Sequence, residues 1–190
     1  MTQKPDNIAL MQQTAKGDQR AFRSLAQNLG NKMYHLAYRL CGYQRSVAED
    51  IVQEALIKLW RSAPNWQPTG SVEAYASRIV YTCCMDFHRQ NRITDEIPDE
   101  IPQEDMILNS LIDKQHRHIL LQAINTLPAR QREAILLYYM GEHSQNHVAK
   151  MLGTTEKSIE RLLARGRQKL RDTLPATLIN NDTQITHKNM

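Results

Sequence analysis

At 190 residues, 41% of them hydrophobic, the chain can bury the core of one ordinary domain or of two small ones. No apolar run approaches the ~20 residues of a membrane-spanning helix, and the opening MTQKPDNIALMQQTAKGDQR lacks the apolar core of a secretory signal, so a soluble, cytoplasmic protein without membrane insertion is predicted. The formal net charge of +4 hints only modestly at an anionic partner, and three cysteines without CxxC spacing exclude a disulfide framework and a zinc ribbon.

Alternation of β-branched and polar residues is nearly absent, while helical periodicity recurs from Asn7 to about Asn91 and from about Met106 to Leu174, which predicts an all-α protein. Phe22, Leu25, Leu29, Met33, Leu36, Ala37 and Leu40 place a helix over 21–40, with Gly42 as its stop. A second helix is expected to open at Ser46, with Glu49 completing a capping box, and to run to about Arg61 before Pro64. Its inward stripe is Ala48, Ile51, Val52, Ala55, Leu56, Leu59 and Trp60. Asp50, Gln53, Glu54 and Ile57 share another face, so an apolar residue sits among carboxylates.

A third helix, Ser71 to about Asn91, interleaves Tyr75, Tyr81 and Phe87 with Arg78, His88, Arg89 and Arg92. Such interleaving suits unstacked DNA, because a ring accepts a base while an arginine neutralises the adjacent phosphate; such rings are more often ordinary core than base platforms. Cys83 and Cys84 are adjacent, and neighbouring helical side chains diverge by about 100°, so the two pair poorly with each other and read as small core residues, as does Cys41.

The stretch TDEIPDEIPQED breaks the helices. Pro98 and Pro102 disfavour a continuous helix, and from Thr94 to Asp113 there are seven acids and no Lys or Arg, which predicts an extended acidic linker between basic domains. Beyond it, one helix passes through Leu111, Ile119, Leu120, Ala123 and Ile124 and ends before Pro128. Another passes through Arg132, Ile135, Leu136, Tyr139 and Met140 to Gly141.

The next segment, SQNHVAKMLGTTEKSIERLLARGRQKLR, reads as a helix-turn-helix. Ser144 is a candidate N-cap, Val148, Ala149 and Leu152 form an inward stripe, Gly153 stands where positive φ is needed, and Thr154 or Thr155 can cap the second helix. That helix buries Ile159, Leu162, Leu163 and Leu170, while Lys157, Arg161, Arg165, Arg167, Lys169 and Arg171 outnumber Glu156 and Glu160. Periodicity alone leaves DNA binding and a merely solvated basic helix level. The residues from Pro175 onward are polar and aperiodic and read as a tail. His116 with His118, and His143 with His147, invite a metal reading, but no cysteine or carboxylate completes a ligand set, and no metal or cofactor is assigned.

Taken together, these motifs resemble the bacterial RNA polymerase sigma factors, in the short extracytoplasmic-function group of the sigma-70 family. AEDIVQEALIKLW (Ala48 to Trp60) is similar to the family's core-polymerase-binding helix. SVEAYASRIVYTCCMDFHRQNR (Ser71 to Arg92) is similar to its helix for melting and reading the −10 element, and LPARQREAILLYYMGEHS with the helix-turn-helix is similar to its −35-binding domain.

The resemblance implies a region-2-type domain over 1–93, an acidic linker over 94–112, a region-4-type domain over 113–174 and a flexible tail over 175–190. It implies that Asp50, Gln53, Glu54, Ile57, Lys58 and Arg61 bind core polymerase, on the clamp helices of the largest subunit, with the flap of the second subunit as a further contact. Tyr75, Arg78, Tyr81, Thr82, Arg89 and Arg92 would engage the −10 DNA; Thr155, Glu156, Lys157, Ser158, Glu160, Arg161 and Arg165 would engage the −35 DNA, with Arg130 and Arg132 near the backbone. An anti-sigma factor is the implied regulator. A regulator with an N-terminal sensor half is the rival reading; it requires a ligand pocket or an α/β domain before the linker, and neither is visible. An enzyme is disfavoured, since no phosphate loop, nucleophile elbow or catalytic carboxylate pair stands out.

Overall fold

The computed structural model describes residues 6–68, 70–91 and 119–175. The described residues are helical and contain no strand. They fall into two compact units, one formed by the described residues of 6–91 with Leu136–Ser144, the other by those of 119–135 with 145–175. The acidic linker, Arg92, His116, His118 and most of the tail lie outside the described residues.

The first unit contains α1 (Asn7–Ala15), α2 (Gln19–Leu40), α3 (Arg45–Ser62) and α4 (Val72–Asn91), with a short 3-10 turn at Ala63–Asn65. Asp18 accepts hydrogen bonds from Arg20 N (2.8 Å) and Ala21 N (3.1 Å), which starts α2, and Ser71 Oγ accepts from Ala74 N (3.1 Å) at the start of α4. α2 is the central helix and packs against α1, α3 and α4. Met11, Leu25, Leu29, Leu36, Leu59, Val72 and Val80 are fully enclosed and make the core.

α2 ends in a Schellman turn: Gly42 has φ +66° and the Tyr43 N–H reaches back to Tyr38 O (2.8 Å). The expected stop at Gly42 is therefore present, with Tyr43 itself following at φ +63°. The capping box expected at Ser46 is not formed. α3 begins at Arg45, its N-cap is Gln44 with no side-chain cap bond, and Ser46 already lies inside the helix because the left-handed turn delivers the chain two residues early.

Leu136–Ser144 completes the first unit. Ser77 Oγ donates to Gly141 O (2.9 Å) and lies 2.8 Å from His143 Nε2, and Lys32 pairs with Glu142 (2.7 Å). The segment starts as a π-helical turn, Leu136–Met140, rather than the continuous α-helix that periodicity predicts. A Cβ on Gly141 would stand 2.6 Å from Leu137 O, so only glycine fits this close backbone approach.

The second unit contains α5 (119–125), α6 (Ala129–Ile135), α7 (Gln145–Met151) and α8 (Glu156–Thr173). α6 and α7 both pack on α8, around Ala134, Ile135, Val148, Ala149, Leu152, Ile159 and Leu163. Between α7 and α8, Gly153 has φ +62° and the Thr154 N–H bonds to Ala149 O (2.9 Å), so the helix-turn-helix glycine has the left-handed conformation expected of it.

Candidate functional site

Three helix faces carry the residues singled out above. On α3, Ala48, Ile51, Ala55 and Leu59 are buried, and Asp50, Gln53, Glu54, Ile57 and Arg61 are exposed. Ile57 is 51% exposed. Burying an isoleucine stabilises a fold by about 1.5–3 kcal/mol, so leaving half of one in water, ringed by Asp50, Gln53 and Glu54, forgoes much of that gain. Lys58 is half-buried at the edge of this face. Its Nζ pairs with Glu54 (2.7 Å) and approaches Asp86 of α4 (3.8 Å), and it donates to Cys83 Sγ (3.4 Å). The hydrogen bond to Glu54 holds its ammonium above the ordinary lysine range, against the opposing pull of burial.

On α4, Tyr75, Arg78, Thr82 and Arg89 lie within one face by helical spacing. Arg78, Thr82 and Arg89 are exposed and Tyr75 is half-buried. Arg89 pairs with Asp86 (2.7 Å), and Thr82 Oγ1 bonds back to Arg78 O (3.0 Å). Tyr81 departs from the set. It is 7% exposed, on the side of α4 that packs into the unit, so its ring is core and offers no open face to a base.

On α8, Thr155 accepts from Ser158 N (3.2 Å) and is the N-cap, which settles the choice between Thr154 and Thr155. Ile159, Leu163 and Gly166 face inward, whereas Glu156, Lys157, Glu160, Arg161 and Arg165 are exposed and Ser158 is half-buried. Lys157, Arg161 and Arg165 make no hydrogen bond or ion pair among the described residues. Lys169, by contrast, is anchored on Thr126 O (2.9 Å). Arg130 reaches Leu152 O (3.4 Å) in the turn after α7, and Arg132 reaches Asn125 O (3.4 Å) at the C-terminal end of α5.

Gly166 carried no signal in the sequence. A Cβ there would lie 3.1 Å from Ile135 Cγ1, so this glycine is what lets α8 approach α6. The two histidines spaced 143 and 147 do not share a helical face, because His143 precedes α7 and is buried against Ser77 while His147 lies on α7. Among the described residues no group of three His, Cys, Asp or Glu is placed to hold a metal. No helix among them is long and apolar enough to cross a membrane.

These faces fall inside two matched segments. The family model of sigma-70 region 2 matches residues 25–93, and that of sigma-70 region 4 matches residues 117–170. The chain belongs to the extracytoplasmic-function group of the sigma-70 family. It is an RNA polymerase sigma factor, a member of a family of non-enzymatic initiation factors.

Among its relatives, the ECF RNA polymerase sigma factor SigE of Mycolicibacterium smegmatis is 34% identical across 84% of this chain, which spans 65% of SigE's length. The RNA polymerase sigma factor NccH of Alcaligenes xylosoxydans xylosoxydans is 29% identical across 90% of this chain and 95% of its own. CnrH, solved in complex with the cytosolic domain of CnrY, superposes with a TM-score of 0.59 at 25% identity, covering 93% of this chain and 98% of CnrH.

Proposed function

We propose that this sigma factor divides its work among the three faces. The exposed face of α3, with Asp50, Gln53, Glu54, Ile57 and Arg61, docks on the clamp helices of the largest subunit of core polymerase. The α4 face, with Tyr75, Arg78, Thr82 and Arg89, holds the unstacked −10 strand by stacking and phosphate contacts. α8 lies in the major groove of the −35 element, with Arg161 and Lys157 toward guanine edges and Arg165 toward phosphate. Thr155, Glu156, Ser158 and Glu160 flank those contacts at the N-terminal end of the helix, the end that reaches base edges in helix-turn-helix proteins. Lys58 supports the docking face from behind, tied to Glu54 and α4.

The working division is a promoter-melting domain over 1–93, a linker over 94–112, a −35-binding domain over 113–174 and a tail beyond it, with the flap of the second largest polymerase subunit meeting the −35-binding domain. An anti-sigma partner belongs to the same reading, supported by the 25% identity to CnrH, which was solved with a bound protein domain.

The observation that carries this reading is Ile57, an aliphatic side chain half in water at the centre of an otherwise acidic and polar helix face. Such a patch is suited to a partner that brings positive charge and an apolar pocket together. Size-exclusion chromatography of the full chain mixed with core RNA polymerase tests it. Co-elution as one complex supports the docking role, and separate elution at micromolar concentrations overturns it.

A further inference from the structure

Four charged side chains of alternating sign run from the exposed face of α3 to the side of α4 assigned above to the −10 strand. Glu54 Oε1 pairs with Lys58 Nζ (2.7 Å), Lys58 Nζ lies 3.8 Å from Asp86 Oδ2, and Asp86 Oδ1 pairs with Arg89 Nη2 (2.7 Å). The outer links join residues one turn apart on a single helix, and the middle link crosses from α3 to α4. Both ends are open. The Glu54 side chain is 54% exposed and that of Arg89 79%, against 39% for Lys58 and 32% for Asp86. Partners can therefore take the ends, and the middle pair is left to respond.

Lys58 leans toward Glu54. Its other neighbour, Cys83 Sγ (3.4 Å), offers it no charge, because burial pushes that thiol up and it stays protonated at neutral pH. Among the described residues, Asp86 is the one other anion within ion-pair reach of the ammonium. Arg78, on the same side of α4, has no partner for its guanidinium among the described residues. Arg89 is thus the arginine of this face that is held back.

We propose that Lys58 and Asp86 are positioning residues that couple polymerase docking to the −10 strand: a cation of the clamp helices taking Glu54 sends Lys58 to Asp86, and Asp86 then yields Arg89 to a DNA phosphate. They have this role only if α3 meets core polymerase and α4 meets the −10 strand, as proposed above. A cation arriving at Glu54 competes with Lys58 for the carboxylate and also repels its ammonium, so both effects drive Lys58 the same way. Asp86 brings a single negative charge to two cations, so the closer Lys58 comes, the less firmly Arg89 is held. The coupling is reciprocal: a phosphate that takes Arg89 leaves Asp86 to Lys58, which frees Glu54 for the clamp. Exposed ion pairs are individually weak, so they exchange readily, and the same weakness limits the coupling to about two- to fivefold.

The test is the affinity of the full chain, without polymerase, for a fluorescein-labelled oligothymidine of about 12 nucleotides, read by fluorescence anisotropy. Oligothymidine presents phosphates without a promoter sequence, and a phosphate is the contact assigned to Arg89. Glu54→Gln stands in for a neutralised Glu54. It is expected to tighten binding about two- to fivefold beyond Glu49→Gln, which removes an exposed acid of the same helix outside the chain of pairs. Lys58→Met and Arg89→Ala are each expected to erase that gain, whereas Lys58→Arg keeps it. Asp86→Asn is expected to tighten binding by itself and to leave Glu54→Gln without further effect. Arg89 is exposed, so Arg89→Ala carries the test even where Lys58→Met loosens α3 from α4. A gain from Glu54→Gln no larger than that from Glu49→Gln, or one that survives Lys58→Met or Arg89→Ala, would overturn the proposal. None of these measurements involves polymerase, so their failure leaves the docking of α3 standing, whereas separate elution from core removes the docking whatever the oligonucleotide shows.

Discussion

Gly166 on α8 sits against Ile135 on α6 so closely that a Cβ at position 166 would be 3.1 Å from Ile135 Cγ1. Alanine there sets that squeeze against the ~1 kcal/mol that helix interiors gain over glycine. Valine adds two further methyl groups to the squeeze. Gly166→Val is expected to destabilise the unit by about 1–3 kcal/mol through overpacking, read as a lowered urea midpoint with the slope unchanged.

Thr155 is the N-cap of the same helix, accepting from Ser158 N. Thr155→Ala is expected to cost about 0.5–2 kcal/mol by leaving a backbone N–H of the first turn without its acceptor. Thermal unfolding followed by circular dichroism checks it, and Thr155→Ser, which keeps the hydroxyl, should restore most of the loss.

These two positions show what was legible in the sequence and what was not. A cap and a positive-φ glycine are local events, so a cap at Thr154 or Thr155, Gly153 and Gly42 could be read from their place at the ends of periodic segments. The stripes of α2, α3 and α8 were legible for the same reason, because a helix exposes its inward face in its own spacing. Gly166 was not legible, since its reason is Ile135, 31 positions away.

The partner of Lys58 on α4 was hidden likewise. Ser46 and Glu49 had the right letters for a capping box, yet the left-handed pair Gly42 and Tyr43 starts α3 two residues earlier. Tyr81 had the composition of a base platform. Only packing shows that its ring is inside, while Tyr75, six residues before it, is half-exposed.

That contrast separates two effects. Tyr81→Ala is expected to act on the fold, destabilising on the order of 3–5 kcal/mol as large buried aromatics do. Tyr75→Ala is expected to lose less stability and to slow promoter opening, measured with a fluorescent base at the −10 element. Equal opening rates for Tyr75→Ala and wild type would remove Tyr75 from the melting face.

Ile57→Glu is expected to leave stability within about 0.5 kcal/mol, because the side chain is half in water already, and to abolish co-elution with core polymerase. Unfolding curves and size-exclusion chromatography of the same preparation check both halves.

Arg161→Ala is expected to weaken discrimination for a promoter over a variant with its −35 guanine replaced by about 1–3 kcal/mol, while binding to core polymerase is unchanged. Competition between the two promoters in holoenzyme binding measures this directly. An unaltered preference would assign Arg161 to phosphate.

The central claim is that this chain confers promoter choice on a polymerase that lacks it. The measurement is in vitro transcription with purified core RNA polymerase, with and without the chain, on genomic fragments whose start sites are mapped. Transcripts that begin at discrete positions downstream of shared −35 and −10 elements, only when the chain is present, are the predicted result. Start sites that are the same with and without it would contradict the account.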